Sequence, residues 1–369
     1  MQSSWKLLFI LEICLAAISN CSAKSVNVEA PSSAPHTHSV DFPFKYDSGW
    51  LGWKAKHTKS YESDIHELEK YVTWVSNSAL IDAHNALRSS FGYTLAMNQF
   101  GDLTSSDYYY GTKCLYQYNY GGSQNSSATE ADQDNLFNMK LFEWPKGLSS
   151  SSLPSEVDWR TMGAVGDVKD QGRCKSCYAF SVTGAIEGME ALASGKFVSL
   201  SEQNIIDCSV IYGNMGCSGG SREISFLYVI DKNGINTEQS YPYIESQYLC
   251  YFKESAIGGR ATGMVRIASK SETDLMAAVA ISGPVTVGVD HMHSSFQFYS
   301  SGIFDEPSCS STSLTHAMVI VGYGSYNGKD YWLVKNSWGA NWGMSGYIMM
   351  VRGKYNQCGI ATRAIYPSK

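Results

Sequence analysis

Gln171-Gly172-Arg173-Cys174-Lys175-Ser176-Cys177-Tyr178-Ala179-Phe180 is the stretch around which the chain is organised. From Cys177 onward, Tyr178, Val182, Ala185, Met189 and Leu192 recur at a helical period, and Gly195 supplies a C-terminal stop. Cys177 therefore stands at a helix N-terminus, where unpaired backbone N–H groups and the macrodipole favour negative charge. A thiol there ionises more easily, and the thiolate is the nucleophile. Cys174 and Cys177 also form a C-x-x-C, but no strand leads into it as a βαβ redox unit requires.

A nucleophilic cysteine needs a base and a group that holds the base. Thr315-His316-Ala317 immediately precedes the apolar run Met318–Val321, so His316 belongs at a strand end. Asn336 follows the run Tyr331–Val334, and adjacent strands bring its amide oxygen to the imidazole. Gln171, six residues before Cys177, is placed to set an amide N–H beside the Cys177 N–H as a two-donor oxyanion hole.

Outward from this stretch the texture divides. After the Cys177 helix, Ser199-Leu200-Ser201-Glu202 has a capping-box pattern that starts a second helix through Ile206, and Ile224–Ile230 is a third apolar helical segment. From Gly283 onward Val285–Val289, Met318–Val321, Tyr331–Val334 and Tyr347–Val351 read as strands separated by glycine-rich turns. Helices first and strands second give an α+β class with two subdomains and a groove between them.

Upstream, His66, Lys70, Trp74, Asn77, Ile81 and Asn85 form one long helical stripe of mixed polarity, a docking face rather than a plain core face. Residues 24–45 have the composition of a disordered arm, while residues 119–135 and the run Ser149–Ser152 have that of a linker, with a glycosylation sequon at Asn125. At the start, Lys6, the apolar run Leu7–Ile18 and Cys21-Ser22-Ala23 form a secretory signal. That run is shorter than the roughly 18 residues needed to cross a bilayer, so a secretory route without a membrane span follows. Net charge is −6 with both signs dispersed, which excludes a basic nucleic-acid-binding stripe. Seven cysteines lie from Cys174 onward, an odd number that leaves at least one thiol free in a monomer and the other pairings open.

Gln171–Phe180 resembles the active-site segment of papain-like cysteine proteases, Q-G-x-C-G-S-C-W-A-F. The likeness continues through Asp207-Cys208, Gly216-Cys217-Ser218-Gly219-Gly220, His316, Gly322-Tyr323-Gly324, Asn336-Ser337-Trp338-Gly339 and Cys358-Gly359-Ile360-Ala361, covering residues 153–369. It is most like cathepsin L. His66 to Asn85 follows the spacing of that family's ERFNIN pro-helix, and Asn98-x-Phe100-x-Asp102 matches most of its G-x-N-x-F-x-D motif.

The resemblance implies a signal over 1–23 and a pro-region over 24–152, with its helical inhibitor part about 46–112 and its linker about 115–152. It places a two-lobed peptidase domain over 153–369, with a helical left lobe and a β-barrel right lobe. It makes Cys177 nucleophile, His316 base, Asn336 orienter and Gln171 oxyanion donor. It pairs Cys174 with Cys217, Cys208 with Cys250 and Cys309 with Cys358, and leaves Cys177 free, Cys114 departing with the pro-region. Gly219 and Gly220 are expected to bond an extended substrate, and Trp338 to shield the Asn–His contact. Ser221, Arg222, Gly288, Ala317 and Arg363 surround the pocket for the second residue before the scissile bond. The implied activity is endopeptidase action on polypeptides in a lysosomal or extracellular setting. The pro-region acts as an intramolecular inhibitor, and neither cofactor nor metal is implied.

Ser201–Cys208, Tyr323–Gly328, Tyr355–Ala361 and Tyr178 look especially like silicateins, relatives of cathepsin L that condense silica and carry serine at the nucleophile position. That resemblance implies the alternative of a silica-binding structural protein of biomineral filaments, while Cys177 argues for protease chemistry. Departures from the protease pattern are Lys175 for the usual glycine, Thr315 for the aspartate before the histidine, and His66, Lys70 and Ala96 in the pro-region. Family members prefer an apolar side chain in that pocket; Arg222 and Arg363 either favour an acidic or polar one instead or point outward to solvent. Asp102 is the carboxylate expected to release the pro-region in acid.

Overall fold

The computed structural model describes residues 46–116 and 130–369. The signal, the arm over 24–45 and the Asn125 sequon lie outside the described residues. The segment expected as the pro-region begins, among the described residues, with α1 (Ser48–Lys56) and α2 (Asp64–Ala86). Trp50 and Trp53 stack at 5.2 Å, with Trp74 edge-on to Trp50 at 6.0 Å, and lock the two helices together. The mixed stripe of α2 is a docking face, but for the pro-region's own chain. Asn77 donates to the Gly101 and Leu103 carbonyls, and Asn85 exchanges two bonds with Leu95. Asp102 is buried between Lys59 (2.8 Å) and the Tyr61 hydroxyl (3.1 Å), both from the pro-region.

From α2 the chain enters β1 (Tyr93–Leu95) and then α3 (Ser105–Thr112), whose start carries a Thr104/Asp107 capping box. Part of the stretch expected as linker is ordered: α4 (Glu130–Phe137) leads into β2 (Lys140–Leu141). Asp134 forms a two-bond pair with Arg266 at 2.6 and 2.7 Å, and Trp144 donates to Asp274. Composition marks a segment that cannot fold alone; it does not register a partner waiting on another surface.

The part expected as the peptidase domain opens with β3 (Val157–Asp158) and α5 (Cys177–Ser194). The first three turns of α5 are buried nearly all round, far more than the five-residue face read from its period, because sheet and helices cover opposite sides. At Gly188 a side chain would run into Pro284, so the close crossing depends on glycine. Next come α6 (Glu202–Cys208) and α7 (Arg222–Asp231), which pack on α5 around Val182, Ile186, Ile205 and Phe226. The cap of α6 is Ser201, not Ser199, and Glu202 does not turn back to close a capping box. Its carboxylate instead takes Lys169 at 2.7 Å and the Thr183 hydroxyl at 2.6 Å.

Further along come β4 (Gly263–Arg266), α8 (Glu272–Ser282), β5 (Val285–Val289), β6 (Tyr299–Phe304), β7 (His316–Tyr326), β8 (Lys329–Lys335), β9 (Tyr347–Val351) and β10 (Ile365–Ser368). Among the described residues these join one sheet in the order β1-β6-β9-β8-β7-β5-β10-β4-β2, with β3 on β7. Pairing is antiparallel except for β9 with β6 and β2 with β4. The pro-region thus closes both ends of the sheet, with β1 on β6 and β2 on β4. Val287, Phe296, Ile320, Trp332 and Trp342 fill the core of the strand-rich lobe. Cys174–Cys217 and Cys208–Cys250 staple the helical lobe, and Cys309–Cys358 the other.

Candidate active site

Cys177 is the first residue of α5 and His316 the first of β7, and both are fully buried where the two lobes meet. The Ala317 N–H donates to Cys177 Sγ at 3.3 Å, which ties the start of β7 to the start of α5. β7 and β8 run antiparallel, so Asn336, one residue past β8, returns to the level of His316. Asn336 Oδ1 lies 2.8 Å from His316 Nε2 and also accepts the Ser337 N–H at 2.8 Å. A backbone N–H only donates, so that second bond identifies the oxygen, and the oxygen in turn requires the imidazole proton on Nε2. Nδ1 then presents its lone pair to the sulfurs. Burial holds His316 down at about 4, with the Asn336 bond opposing, so the ring is neutral at any higher pH in this state. Trp338 lies over it with ring centres 4.6 Å apart.

Gln171 is buried, and its amide oxygen accepts from Ser337 Oγ at 2.7 Å. That bond turns Nε2 toward the Cys174 carbonyl at 3.1 Å and leaves its second N–H over. The Cys177 N–H, at the first position of α5, has no acceptor within the helix.

One expectation fails. Cys177 is not free: it is bonded to Cys114 of the pro-region, with Cα atoms 5.9 Å apart. The odd count covers the residues from Cys174 onward and leaves out Cys114. Among the described residues the cysteines are even in number, and all are bridged. His316 Nδ1 lies 3.2 Å from Cys114 Sγ. The side chains close enough to share a metal ion among the described residues are Cys114, Cys177 and His316, and Asp290, His293 and Cys309. In both sets every sulfur is in a disulfide and offers no thiolate.

The strip Gly219-Gly220 carries the pro-region chain. The Gly220 N–H donates to the Cys114 carbonyl (3.1 Å) and the Tyr116 N–H to the Gly220 carbonyl (3.0 Å), while Gly219 lies under the Tyr116 ring. Leu115 enters an apolar pocket with Leu314 and Ala317, against Gly288, where a β-carbon would strike Leu115 and Leu314. Arg222 is also buried. Its Nη2 donates to the Arg363 carbonyl at 2.7 Å, while Nε and Nη1 have no partner among the described residues. The Arg363 guanidinium pairs with Glu223 at 2.8 Å, and Ser221 caps α7 and donates to Glu223 at 2.5 Å. Burial works against the Glu223 carboxylate, but Arg363 and Arg222 bring it down to about 2.

His291 was not singled out in the sequence. It is fully buried, 5.0 Å from the His316 ring, with Nδ1 2.7 Å from Thr315 Oγ1 and Nε2 2.7 Å from Thr112 Oγ1. Thr112 donates its own proton to the Tyr108 carbonyl, so it accepts from Nε2–H, and Nδ1 accepts from Thr315. Burial, with His316 beside it, drives His291 well below the ordinary imidazole value. Pro-region contacts continue on Trp338: Gln99 Nε2 donates to its carbonyl (2.7 Å), and the Phe100 ring meets it edge-on at 5.1 Å.

Residues 153–368 match the papain family cysteine protease domain, and residues 50–108 the cathepsin propeptide inhibitor domain. Silicatein of Petrosia ficiformis is 50% identical over 86% of this chain and 93% of its own. Human cathepsin L2 is 41% identical over 89% and 94%. The solved structure of digestive procathepsin L 3 from Tenebrio molitor larval midgut superposes with a TM-score of 0.77 at 40% identity, covering 87% of this chain and 98% of that one. No helix among the described residues is long and apolar enough to cross a membrane. The chain belongs to the papain family of cysteine proteases, as a cathepsin L-like member made as a proenzyme.

Proposed function

We propose that Cys177, His316 and Asn336 are the catalytic residues of an endopeptidase, with Gln171 Nε2 and the Cys177 N–H as oxyanion donors. The observation that carries this is the imidazole fixed by Asn336 at 2.8 Å with its free nitrogen turned to the sulfurs. Once Cys177 is a free thiol, Nδ1 takes its proton. The thiolate, favoured at the start of α5, attacks a peptide carbonyl. The alkoxide that develops meets the two N–H donors. His316 returns the proton to the leaving amine, and water releases the acyl-enzyme. Gly220, freed of the pro-region, offers its N–H and C=O to the substrate backbone. Turnover of a fluorogenic peptide by the processed, reduced protein, absent in Cys177→Ala, tests the assignment; equal turnover by the variant overturns it.

The pocket holding Leu115 favours an apolar side chain at the second position before the cleaved bond. Leu115, Leu314, Ala317 and Gly288 form its apolar wall, and Arg363 is neutralised by Glu223. This runs against the acidic preference raised by the two arginines. The Glu223 carboxylate stays ionised down to about pH 2, so the pairing persists in an acidic compartment. Matched substrates with Leu or Glu there should differ by at least about tenfold in kcat/KM in favour of Leu, roughly the value of one well-buried apolar side chain. Equal rates, or faster cleavage after Glu, would restore the acidic reading.

Acid should loosen the pro-region. His291 is held neutral beneath Tyr108 and Thr112, and its pKa there is lowered, so the undocked state binds more protons as pH falls. Docking is therefore undiminished above the ordinary imidazole value of 6.5 and weakens below it. Asp102→Ala removes the acceptor of Lys59 and Tyr61 inside the pro-region and should raise the pH at which release occurs. An unchanged activation pH in both Asp102→Ala and His291→Asn would remove both groups from the account. The setting we propose is the lysosome or the extracellular space. Silica condensation has one supporting observation, the 50% identity to silicatein, and Cys177 stands against it.

A further inference from the structure

We propose that Cys114 is a covalent latch on the nucleophile, so that the proenzyme needs a thiol reductant as well as proteolysis to become active; this rests on the assignment of Cys177 above. Cys114 is delivered to its partner by contacts that do not depend on the sulfur bond. Its N–H donates to the Thr315 carbonyl at 3.1 Å, and its carbonyl accepts from Gly220 at 3.1 Å. Leu115 donates to the same Thr315 carbonyl at 3.2 Å and anchors its side chain in the apolar pocket. The docked backbone thus holds Cys114 with its sulfur against Cys177 and His316.

The other three disulfides lie wholly within the catalytic part. Cys114–Cys177 alone among the four joins the pro-region to it. A cut anywhere between Tyr116 and Leu153 therefore leaves the amino-terminal fragment attached through sulfur. Tethered in this way, the fragment keeps a high effective concentration at the cleft, and its release by simple dissociation is suppressed. The oxidised proenzyme has no nucleophile with which to process itself, so reduction must precede self-processing. An outside protease can cut the linker without producing activity.

The reductant is a dithiol. One of its thiolates attacks Cys114 Sγ, forming a mixed disulfide, and the electron pair of the broken S–S bond leaves on Cys177 Sγ. That sulfur is the better leaving group because it sits at the start of α5 and accepts the Ala317 N–H. The second thiol closes the reductant's own disulfide and expels Cys114 as a thiolate. Of the two protons lost by the dithiol, one goes to Cys114 and one to His316 Nδ1. The products are the oxidised dithiol, a neutral Cys114 thiol, and Cys177 thiolate beside His316 imidazolium. Both sulfurs are fully buried in the closed proform, so loosening the pro-region with acid, or cutting the linker, should speed the exchange.

The experiment uses the full secreted proenzyme, denatured and alkylated without reductant and then mapped by mass spectrometry. A linked peptide pair containing Cys114 and Cys177 is expected. After an added protease cuts the linker, the amino-terminal fragment should stay with the catalytic chain on a non-reducing gel, and peptide turnover should be about 1% or less of that reached with dithiothreitol. Cys114→Ser, cut in the same way, should release its fragment and turn over peptide without reductant. Alkylated Cys114 and Cys177 in the unreduced proenzyme, or an equal need for reductant in Cys114→Ser, would overturn the latch. Should reduction release the fragment while no peptide is ever cleaved, the latch stands and the peptidase assignment of the site falls.

Discussion

His316→Ala should lower kcat/KM of the processed, reduced enzyme by about 10²–10⁴-fold, the range for loss of a positioned general base. Its imidazole is the group within reach of the sulfurs that can carry a proton in both directions, and Asn336 presents it in one tautomer. The thiolate that remains attainable at high pH in the variant gains from the start of α5 but has no acid for the leaving amine. The residual rate should therefore rise with pH across the thiol's titration rather than follow a bell. A second readout is the ring itself. In the proform burial keeps His316 neutral down to about 4. Removing the pro-region admits water, and freeing Cys177 places a negative charge beside the ring, and both raise its pKa. An NMR titration of labelled histidine should show His316 titrating well above its proform value after maturation, and a flat comparison would contradict the ion-pair step.

Lys169→Met should cost about 3–5 kcal/mol, the scale for leaving a buried charge without its counter-ion. Lys169 Nζ bonds Glu202 at 2.7 Å and Glu187 at 3.3 Å, donates to the Leu200 carbonyl at 2.8 Å and has Glu238 at 3.8 Å. Glu187, on α5 with Cys177, and Glu202, the first residue of α6, are both buried. At about 2–4 °C per kcal/mol for a domain of this size, the melting temperature should fall by roughly 6–20 °C. The loss should be pH-dependent. Burial pushes the Glu202 carboxyl up even with Lys169 in place, and without the ammonium it rises further. A folded-state carboxyl pKa above the unfolded value means that the folded state binds the extra proton between the two. Stability in that window then falls as pH rises. The variant should accordingly be closer to the parent in acid than at neutral pH, as thermal melts at several pH values would reveal. A uniform deficit would mean that packing, not charge, sets the cost.

The helix that starts at Cys177 and the strands beside His316 and Asn336 are readable in the sequence because they depend on local pattern: a helical period from Tyr178, a stop at Gly195, and β-branched or aromatic runs next to His316 and Asn336. The bond between Cys114 and Cys177 is of another kind. It joins positions 63 residues apart through the folding of the pro-region across both lobes, and no local period encodes that distance. His291 hid for a similar reason. Its partners, Thr112 and Thr315, come from the pro-region and from the loop ahead of β7. The Ser199 pattern misled because Glu202, which should have turned back to the cap, is drawn to Lys169 and Thr183. Asp134 and Arg266 show the converse: a polar segment without a fold of its own is ordered against an arginine at the end of a strand.

The central claim is that one sulfur, Cys177 Sγ, is caged by Cys114 in the proform and is the attacking atom once released. Labelling with a thiol-alkylating peptidyl epoxide, followed by peptide mass mapping, tests it directly. No adduct is expected on the oxidised proenzyme, and one adduct is expected on Cys177 of the reduced, processed enzyme, accumulating in step with loss of peptide turnover. Complete inactivation with Cys177 unmodified, or ready labelling of Cys177 in the unreduced proenzyme, would contradict it.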